Sequence, residues 1–394
     1  MAPNIMKSID IKNMKKIDSK NKKRILLLNP KRKDLPYSLP HNGLALLAAI
    51  LKKRGHEVLV VDYLFLRSET KNISSFMDSF KPDVIGLTMY APVFHEANNL
   101  IDKIRAIDGK IPIMVGGAFP TLYSNVIDND LRIDYIFLGE AELTIIGIVE
   151  SAKRQKIPKI VNIKEIVNLD FLPHPDYTSF YKYKTITSYP MMTSRGCPYR
   201  CSFCSSVDLS HRRWRMKSPE ACIEEIQLAK KSISSNMVIH IYDDNPNVDK
   251  KRFNKFLELF HEKIGGGLNV THTRADSIDN KFLILLKKCG VRSIMVGVEH
   301  GNKEVYDLVN KGETLEQIEN ACRLIKKHGI GLGLSFVVGL PLDNLERTKE
   351  SIAFCNKVGA EGATINPIIP YRGTAVRRWF ENNNATLYNE IGKV

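Results

Sequence analysis

Short apolar runs alternate with amphipathic stretches along most of this 394-residue chain, and that alternation leaves few folds open. The run RILLLN (24–29) ends at Asn29-Pro30 and reads as a buried parallel strand. HNGLALLAAILKKRGHEV (41–58) follows as a helix, with its apolar stripe at Leu44, Leu47, Ala48 and Leu51 and its stop at Gly55. EVLVVDY (57–63), DVIGLTMY (83–90), IPIMVGG (111–117) and DYIFLGE (134–140) read as further strands, with helical sequence such as 93–107 between them. Strands alternating with helices predict a parallel sheet covered on both faces. Residues 24–154 are therefore expected to form an α/β, flavodoxin-like doubly wound (Rossmann-like) domain, with its ligand outside the carboxyl ends of the strands. Thr88, Gly116, Gly117, Thr121, Gly139 and Glu140 gather at those ends. Small residues there let a ligand approach the backbone, although Gly116-Gly117 also suits a tight turn.

Residues 155–188 mix proline with aromatics and lack a clean period, which predicts a linker. From residue 189 the alternation restarts. SYPMMTS, MVIHIYDD, LNVTHTRAD, RSIMVGVEHG, GLGLSFVVGLP and EGATINPII read as strands with helices after them, and Ser218-Pro219 marks one helix start. Six βα units over 189–376 predict a partial (β/α)6 barrel, two units short of closure, with its active site at the strand carboxyl ends. Residues 377–394 are left as a tail.

The first of those strand ends carries RGCPYRCSFCSS (195–206), in which Cys197, Cys201 and Cys204 are spaced C-x3-C-x2-C. Structural zinc wants four ligands, and no second C-x2-C or H-x3-H pairs with this cluster. A redox C-x-x-C at Cys201 and Cys204 leaves Cys197 unexplained. A [4Fe–4S] cluster takes one thiolate per iron, so three thiolates leave one iron open to a substrate or cofactor.

Composition narrows the setting. Seven cysteines do not make a disulfide scaffold in a chain of this size, and Cys222, Cys289, Cys322 and Cys355 read as small core residues. No apolar run reaches the roughly 18 residues of a membrane span. The N-terminus lacks the apolar core of a secretory signal, so a cytoplasmic protein is expected. The net charge is +15, and residues 1–34 hold eleven Lys/Arg against three Asp/Glu. Residues 1–23 read as a basic leader, expected to be disordered. The remaining excess suits an anionic ligand without demanding nucleic acid, and no RNA-binding module accompanies it. A zinc-containing nucleic-acid-binding protein is the remote alternative.

The cysteine spacing, with aromatic Phe203 before the last cysteine and its place after the first strand of a βα series, resembles the radical S-adenosylmethionine (SAM) superfamily. The resemblance implies that Cys197, Cys201 and Cys204 hold a [4Fe–4S] cluster. SAM would chelate its open iron and be cleaved to a 5′-deoxyadenosyl radical. It also implies SAM contacts for Phe203, for Asp243 and Asp244 in IYDDN (241–245), for Arg274 in THTRADSID (271–279), for Glu299 in MVGVEHGN (295–302) on the ribose, and for Gly339 in SFVVGLP (335–341) near adenine. IYDDN departs from the Gly-Gly-Glu form of that segment.

The first domain is similar to those of the class with a cobalamin (B12)-binding domain. The residues that carry this lie in 29–58, 85–93, 115–121 and 134–142, and the likeness continues through WRMKSPEACIEEI (214–226), GETLEQIENA (312–321) and PYRGTAV (370–376). No cysteine precedes Cys197, unlike the methylthiotransferases that carry a second cluster. The Asp-x-His-x-x-Gly motif is absent from the first 150 residues. Thr88, Tyr90, Gly116, Gly117, Thr121, Gly139 and Glu140 are the candidate corrin-facing residues. The resemblance implies a cobalamin-dependent C-methyltransferase acting on an unactivated carbon of a small-molecule, lipid or peptide substrate. An electron donor such as flavodoxin or ferredoxin would be its partner. Cyclisation, rearrangement or a B12-independent radical reaction is the alternative. The basic segment HRRWRMK (211–217) suits an anionic substrate, cluster shielding or a solvated surface equally.

Overall fold

The structure, a computed structural model, describes residues 14–31, 39–66, 72–163, 165–270 and 272–383, and the backbone of 388–389 and 392–393. Most of the expected leader, residues 1–13, lies outside them. The chain divides into two compact units, Met1–Thr187 with Ser232–Ser235, and Ser188–Lys231 with Asn236–Val394.

The first unit runs β1 (Arg24–Asn29), α1 (Asn42–Arg54), β2 (Glu57–Asp62), α2 (Ile73–Phe80), β3 (Val84–Thr88), α3 (Phe94–Ile107), β4 (Ile113–Gly116), α4 (Ala118–Ile127), β5 (Tyr135–Leu138), α5 (Ile145–Ser151) and β6 (Lys159–Asn162). Its sheet is parallel throughout, in the order β2-β1-β3-β4-β5-β6. The first five strands follow the doubly wound order, with the reversal between β1 and β3. Ile25, Leu26, Leu27 and Leu28 are all buried. A strand covered on both faces has no polar side, which is why its sequence does not alternate. Gly55 ends α1 at φ 111°, as expected of a C-terminal glycine.

Residues 155–188, expected as a linker, instead build onto this unit. Lys159–Asn162 extends the sheet beside β5. Further on, the Asp176 and Tyr181 amides donate to the Ala45 and Val60 carbonyls at 2.9 and 2.8 Å, and Tyr177 and Phe180 are buried. The aromatics that broke the sequence period cover α1 and β2. Strand β6 escaped notice because it is a short edge with one buried residue, Val161.

The second unit runs β7 (Ser188–Met191), β8 (Ser194–Arg195), α6 (Ser206–Leu209), β9 (Arg215–Met216), α7 (Pro219–Ser232), β10 (Val238–Ile241), α8 (Lys250–Lys263), β11 (Leu268–Val270), β12 (His272–Thr273), α9 (Asn280–Lys288), β13 (Ser293–Glu299), α10 (Lys303–Val309), α11 (Leu315–Lys327), β14 (Gly331–Val338), α12 (Leu345–Val358), β15 (Gly362–Pro367) and α13 (Ala375–Asn382). Ser218 caps α7 through the Ala221 amide at 3.2 Å. Two parallel arcs form, β11-β10-β7 and β12-β13-β14-β15. Six successive strand positions thus follow chain order without closing among the described residues, a partial barrel. The third position is divided into β11 and β12 at residue 271, outside the described set.

On β13, Ile294, Val296 and Val298 are buried while Met295, Gly297 and Glu299 on the other face are half-buried. A closed barrel fills its inner face with side chains. Here Met295 and Gly297 register with Gly333 and Ser335 of β14, small residues that leave that face open.

Candidate functional site

Because the strands are parallel, β7, β10, β12, β13 and β14 end on the same side of the second unit. The cysteine loop leaves the first of them and is held at both ends. Strands β8 and β9 close its base as an antiparallel pair, Ser194 opposite Met216 and Arg195 opposite Arg215. Gly196 has φ +81°, and a Cβ there would lie 2.1 Å from the Arg213 carbonyl oxygen, so only glycine fits. Asp244 bridges the loop, accepting from the Gly196 amide at 2.9 Å and the Ser206 hydroxyl at 2.8 Å. Asp243 accepts from the Thr193 amide at 2.7 Å and from the Thr193 and Ser194 hydroxyls at 2.6 Å each. Burial pushes its carboxyl up to about 6, against the pull of those hydroxyl hydrogen bonds. The two aspartates expected to face SAM are thus engaged by the strand and loop that carry the cysteines.

The three cysteines are half-buried on this loop. The Ser202 amide donates to the Val309 carbonyl at 2.8 Å, and the Ser202 carbonyl accepts from the Val376 amide at 3.0 Å. Phe203 packs against the cluster of Val305, Val309, Val337, Leu340 and Val376. It therefore anchors the loop through apolar contact. Burial raises the Cys197 thiol and pushes those of Cys201 and Cys204 up to about 11 and 12. Such thiols keep their protons at neutral pH until a metal centre displaces them. Among the described residues, no three Cys, His, Asp or Glu side chains converge closely enough for one metal ion. An iron–sulfur cluster takes each thiolate on a different iron, which three half-buried thiols on one loop suit. The loop fits the cluster.

Arg274, at the end of β12, stacks its guanidinium 3.5 Å from the centre of the Tyr199 ring in the cysteine loop. It pairs with Asp276 at 2.7 Å. Glu299 closes β13 at φ +69°, paired with Lys311 at 2.9 Å. Gly339, after β14, has φ +80° and donates to Asp343 at 2.7 Å. A cleft of about 320 Å³ lies at the end of β10, lined by Ile241, Tyr242, Asp243, Asp244, Pro246 and His272. The structure brings the cysteines, Arg274 and the two aspartates together around the loop. Phe203 packs into its apolar cluster.

Two residues here were not anticipated. Arg252 of α8 is buried and donates to the Thr193 hydroxyl and carbonyl at 2.9 and 2.7 Å and to the Lys217 carbonyl at 2.8 and 3.0 Å. In sequence it is one more cation in DKKRFNK, with nothing to mark it as buried. Lys311 abuts the matched stretch GETLEQIENA, which was the available signal.

In the first unit, Thr88 is buried with its hydroxyl 3.3 Å from His41 Nε2. His41 caps α1, its Nδ1 accepting from the Leu44 amide at 3.2 Å, and its own amide donates to Asp62 at 2.8 Å. With Nδ1 an acceptor, this network assigns the ring proton to Nε2, facing Thr88. Thr121 accepts from the Gly139 amide at 3.0 Å and donates to the Gly117 carbonyl at 2.9 Å, which ties the loops after β4 and β5. Gly117 is required by the chain itself, since a Cβ would meet the Met89 oxygen at 2.7 Å. Gly139, at φ +94°, borders open space, and Gly116 has ordinary clearance. Glu140 accepts from the Ile166 amide at 3.3 Å, and Tyr90 leads into the turn before α3.

Comparison with known proteins agrees with this geometry. The model of the Radical SAM superfamily matches residues 191–355, and that of the B12 binding domain matches residues 33–149. Uncharacterized methyltransferase PH0819 of Pyrococcus horikoshii is 27% identical over 372 residues, spanning 88% of this chain and 80% of that protein. The anaerobic magnesium-protoporphyrin IX monomethyl ester cyclase of Rubrivivax gelatinosus is 28% identical over 341 residues, 79% of this chain but 61% of its own length. The solved structure of the radical SAM methyltransferase TsrM from Kitasatospora setae, with cobalamin and a [4Fe-4S] cluster bound, superposes over 93% of this chain and 76% of that one, at TM-score 0.73 and 18% identity. That likeness concerns the fold. The chain belongs to the radical SAM superfamily, in the group whose members also carry a B12-binding domain. Its cofactors are accordingly a [4Fe–4S] cluster, SAM and cobalamin. No helix among the described residues is long and apolar enough to cross a membrane.

Proposed function

We propose that this chain is a cobalamin-dependent radical SAM C-methyltransferase acting on an unactivated carbon of a small substrate, with its [4Fe–4S] cluster on Cys197, Cys201 and Cys204. The observation that carries the reading is the clamped loop of three half-buried thiols at the mouth of a partial barrel, in a chain that also holds a B12-binding domain. When bound, the cluster and SAM supply one-electron cleavage of SAM, and cobalamin supplies a transferable methyl group. The protein's own residues do the positioning. Asp244 and Gly196 set the loop's entry, Phe203 and Ser202 its exit, and Arg274 holds Tyr199 against it. Glu299 would accept from the SAM ribose, with Gly339 beyond it on the adenine side. Thr88, Tyr90, Gly116, Gly117, Thr121, Gly139 and Glu140 line the end of the first unit assigned to cobalamin. Methyl transfer is supported by PH0819 and by the TsrM fold, and ring closure is the second reading because the cyclase matches at similar identity. The electron comes from an external donor such as flavodoxin or ferredoxin.

The test is anaerobic reconstitution with iron, sulfide and hydroxocobalamin, followed by iron and cobalt counts and assay of SAM cleavage to 5′-deoxyadenosine. Cobalamin bound beside a cluster of about four irons is expected, with iron lost in Cys197→Ala, Cys201→Ala and Cys204→Ala. A cluster with no cobalamin would remove the methyl-transfer reading. Zinc with no cluster would remove the radical reading altogether.

A further inference from the structure

Lys311 has no task in the proposal above, yet its side chain is only 5% exposed. A lone ammonium at that depth would lose its proton or carry a large desolvation cost. Its ammonium donates to the Gly297 carbonyl and to Glu299 Oε1 at 2.9 Å, and lies 3.3 Å from Glu313 Oε2 as an ion pair. Glu313 reaches onward, accepting from the Asp276 amide at 2.8 Å and lying 3.8 Å from Arg274. Two cations and three carboxylates thereby tie the end of β12 to the end of β13.

The conformation of Glu299 shows what this network is for. A non-glycine residue at φ +69° is uncommon and persists only where its surroundings hold it. It lies at a register shift between β13 and β14. A Cβ at Gly297 would lie 2.4 Å from Glu299 Oε1 and 2.9 Å from Lys311 Nζ, so the ion pair occupies the space a side chain at 297 would take. Oε1 is committed to Lys311. Oε2 accepts from no group among the described residues, which leaves it for a ligand. A carboxylate already fixed by one oxygen loses little rotamer freedom when the other binds.

We propose that Lys311 is a positioning residue that pins Glu299 Oε1 and so presents Oε2 to the ribose hydroxyls of SAM. This rests on the reading that Glu299 contacts SAM.

The test reads SAM affinity separately from cluster content and turnover. Wild type, Glu299→Gln, Lys311→Met, Gly297→Ala and the Glu299→Gln/Lys311→Met double variant are reconstituted without oxygen. Iron and sulfide are counted, and labelled SAM binding is measured by equilibrium dialysis. Lys311→Met should keep its iron and bind SAM about tenfold or more weakly, the scale of a lost charge-assisted hydrogen bond. Gly297→Ala displaces the pair while keeping both charges, so it should weaken SAM even if Lys311→Met folds poorly. The double variant should be no weaker than Glu299→Gln, because Lys311 acts through Glu299. Wild-type affinity in both Lys311→Met and Gly297→Ala overturns the proposal, as does additive loss in the double variant. Wild-type affinity in Glu299→Gln instead overturns the ribose reading beneath it.

Discussion

Gly196→Ala is the sharpest perturbation of the cysteine loop, because its cost can be worked from the structure. An alanine forced to φ +81° costs about 1–2 kcal/mol. Its Cβ would stand 2.1 Å from the Arg213 oxygen and 2.8 Å from Ser210 Cβ, where contacts below 3.0 Å are essentially never seen. The segments must part by nearly an ångström, and neither is free to move. The Arg213 amide is bonded to the Ser210 carbonyl at 2.9 Å, Arg195 is paired with Arg215, and the Gly196 amide is held by Asp244 at 2.9 Å. Releasing one neutral and one charge-assisted hydrogen bond adds about 2–4 kcal/mol. A total of about 3–6 kcal/mol would open the loop by roughly 10²–10⁴-fold. The affected contacts lie outside the strands and helices of the core, so the loss should fall on the loop and not on the fold. The assay is cluster loading under limiting iron and sulfide, with thermal unfolding of the apoprotein as the fold control. Much reduced iron is expected, with an unfolding midpoint near wild type. Wild-type iron content and cluster lifetime in Gly196→Ala would refute the claim that this turn shapes the cluster site.

Two further outcomes follow from buried polar groups. Arg252→Leu removes the donor of the Lys217 carbonyl and the charged one of the two donors on the Thr193 carbonyl, which keeps the Lys217 amide at 2.9 Å, and should destabilise the second unit by about 3–5 kcal/mol, a fall of roughly 10 °C in its calorimetric midpoint; an unchanged midpoint would show that the clamp is dispensable. In the first unit, burial raises Asp62 to about 6 from 3.8 and lowers His41 to about 4 from 6.5. The folded chain thus holds more protons than the unfolded chain at Asp62, whose contribution is lost as pH rises toward 6, and fewer at His41, whose contribution is lost as pH falls toward 4. The slopes oppose each other in wild type. In Asp62→Asn only the His41 slope remains, so its midpoint should climb from pH 4 to 6.5 more steeply than that of wild type, and parallel profiles would contradict the raised Asp62.

What could be read from sequence was set by periodicity. The run of buried residues in β1, the stop at Gly55 and the cap at Ser218 are local patterns, and the two alternations of strand and helix needed no tertiary knowledge. What escaped were residues whose partners lie far along the chain. Lys159–Asn162 is too short to show a period, and the aromatics of 170–183 looked like a linker because the surface they cover, α1 and β2, precedes them by more than a hundred residues. The strand-end carboxylates show the same limit within the site. Asp243 and Asp244 sit at the carboxyl end of β10 and line the cleft, and both also accept from the backbone and hydroxyls of Thr193, Ser194, Gly196 and Ser206. A pattern says that a residue lies at a strand end, but not that its side chain also braces the neighbouring strand. The clue available was on the partner side. Thr193 and Ser194 place two hydroxyls immediately before a loop that must hold three thiols apart, and hydroxyls buried there require acceptors. The adjacent parallel strand supplies them, since the three residues beyond β10 are Tyr242, Asp243 and Asp244.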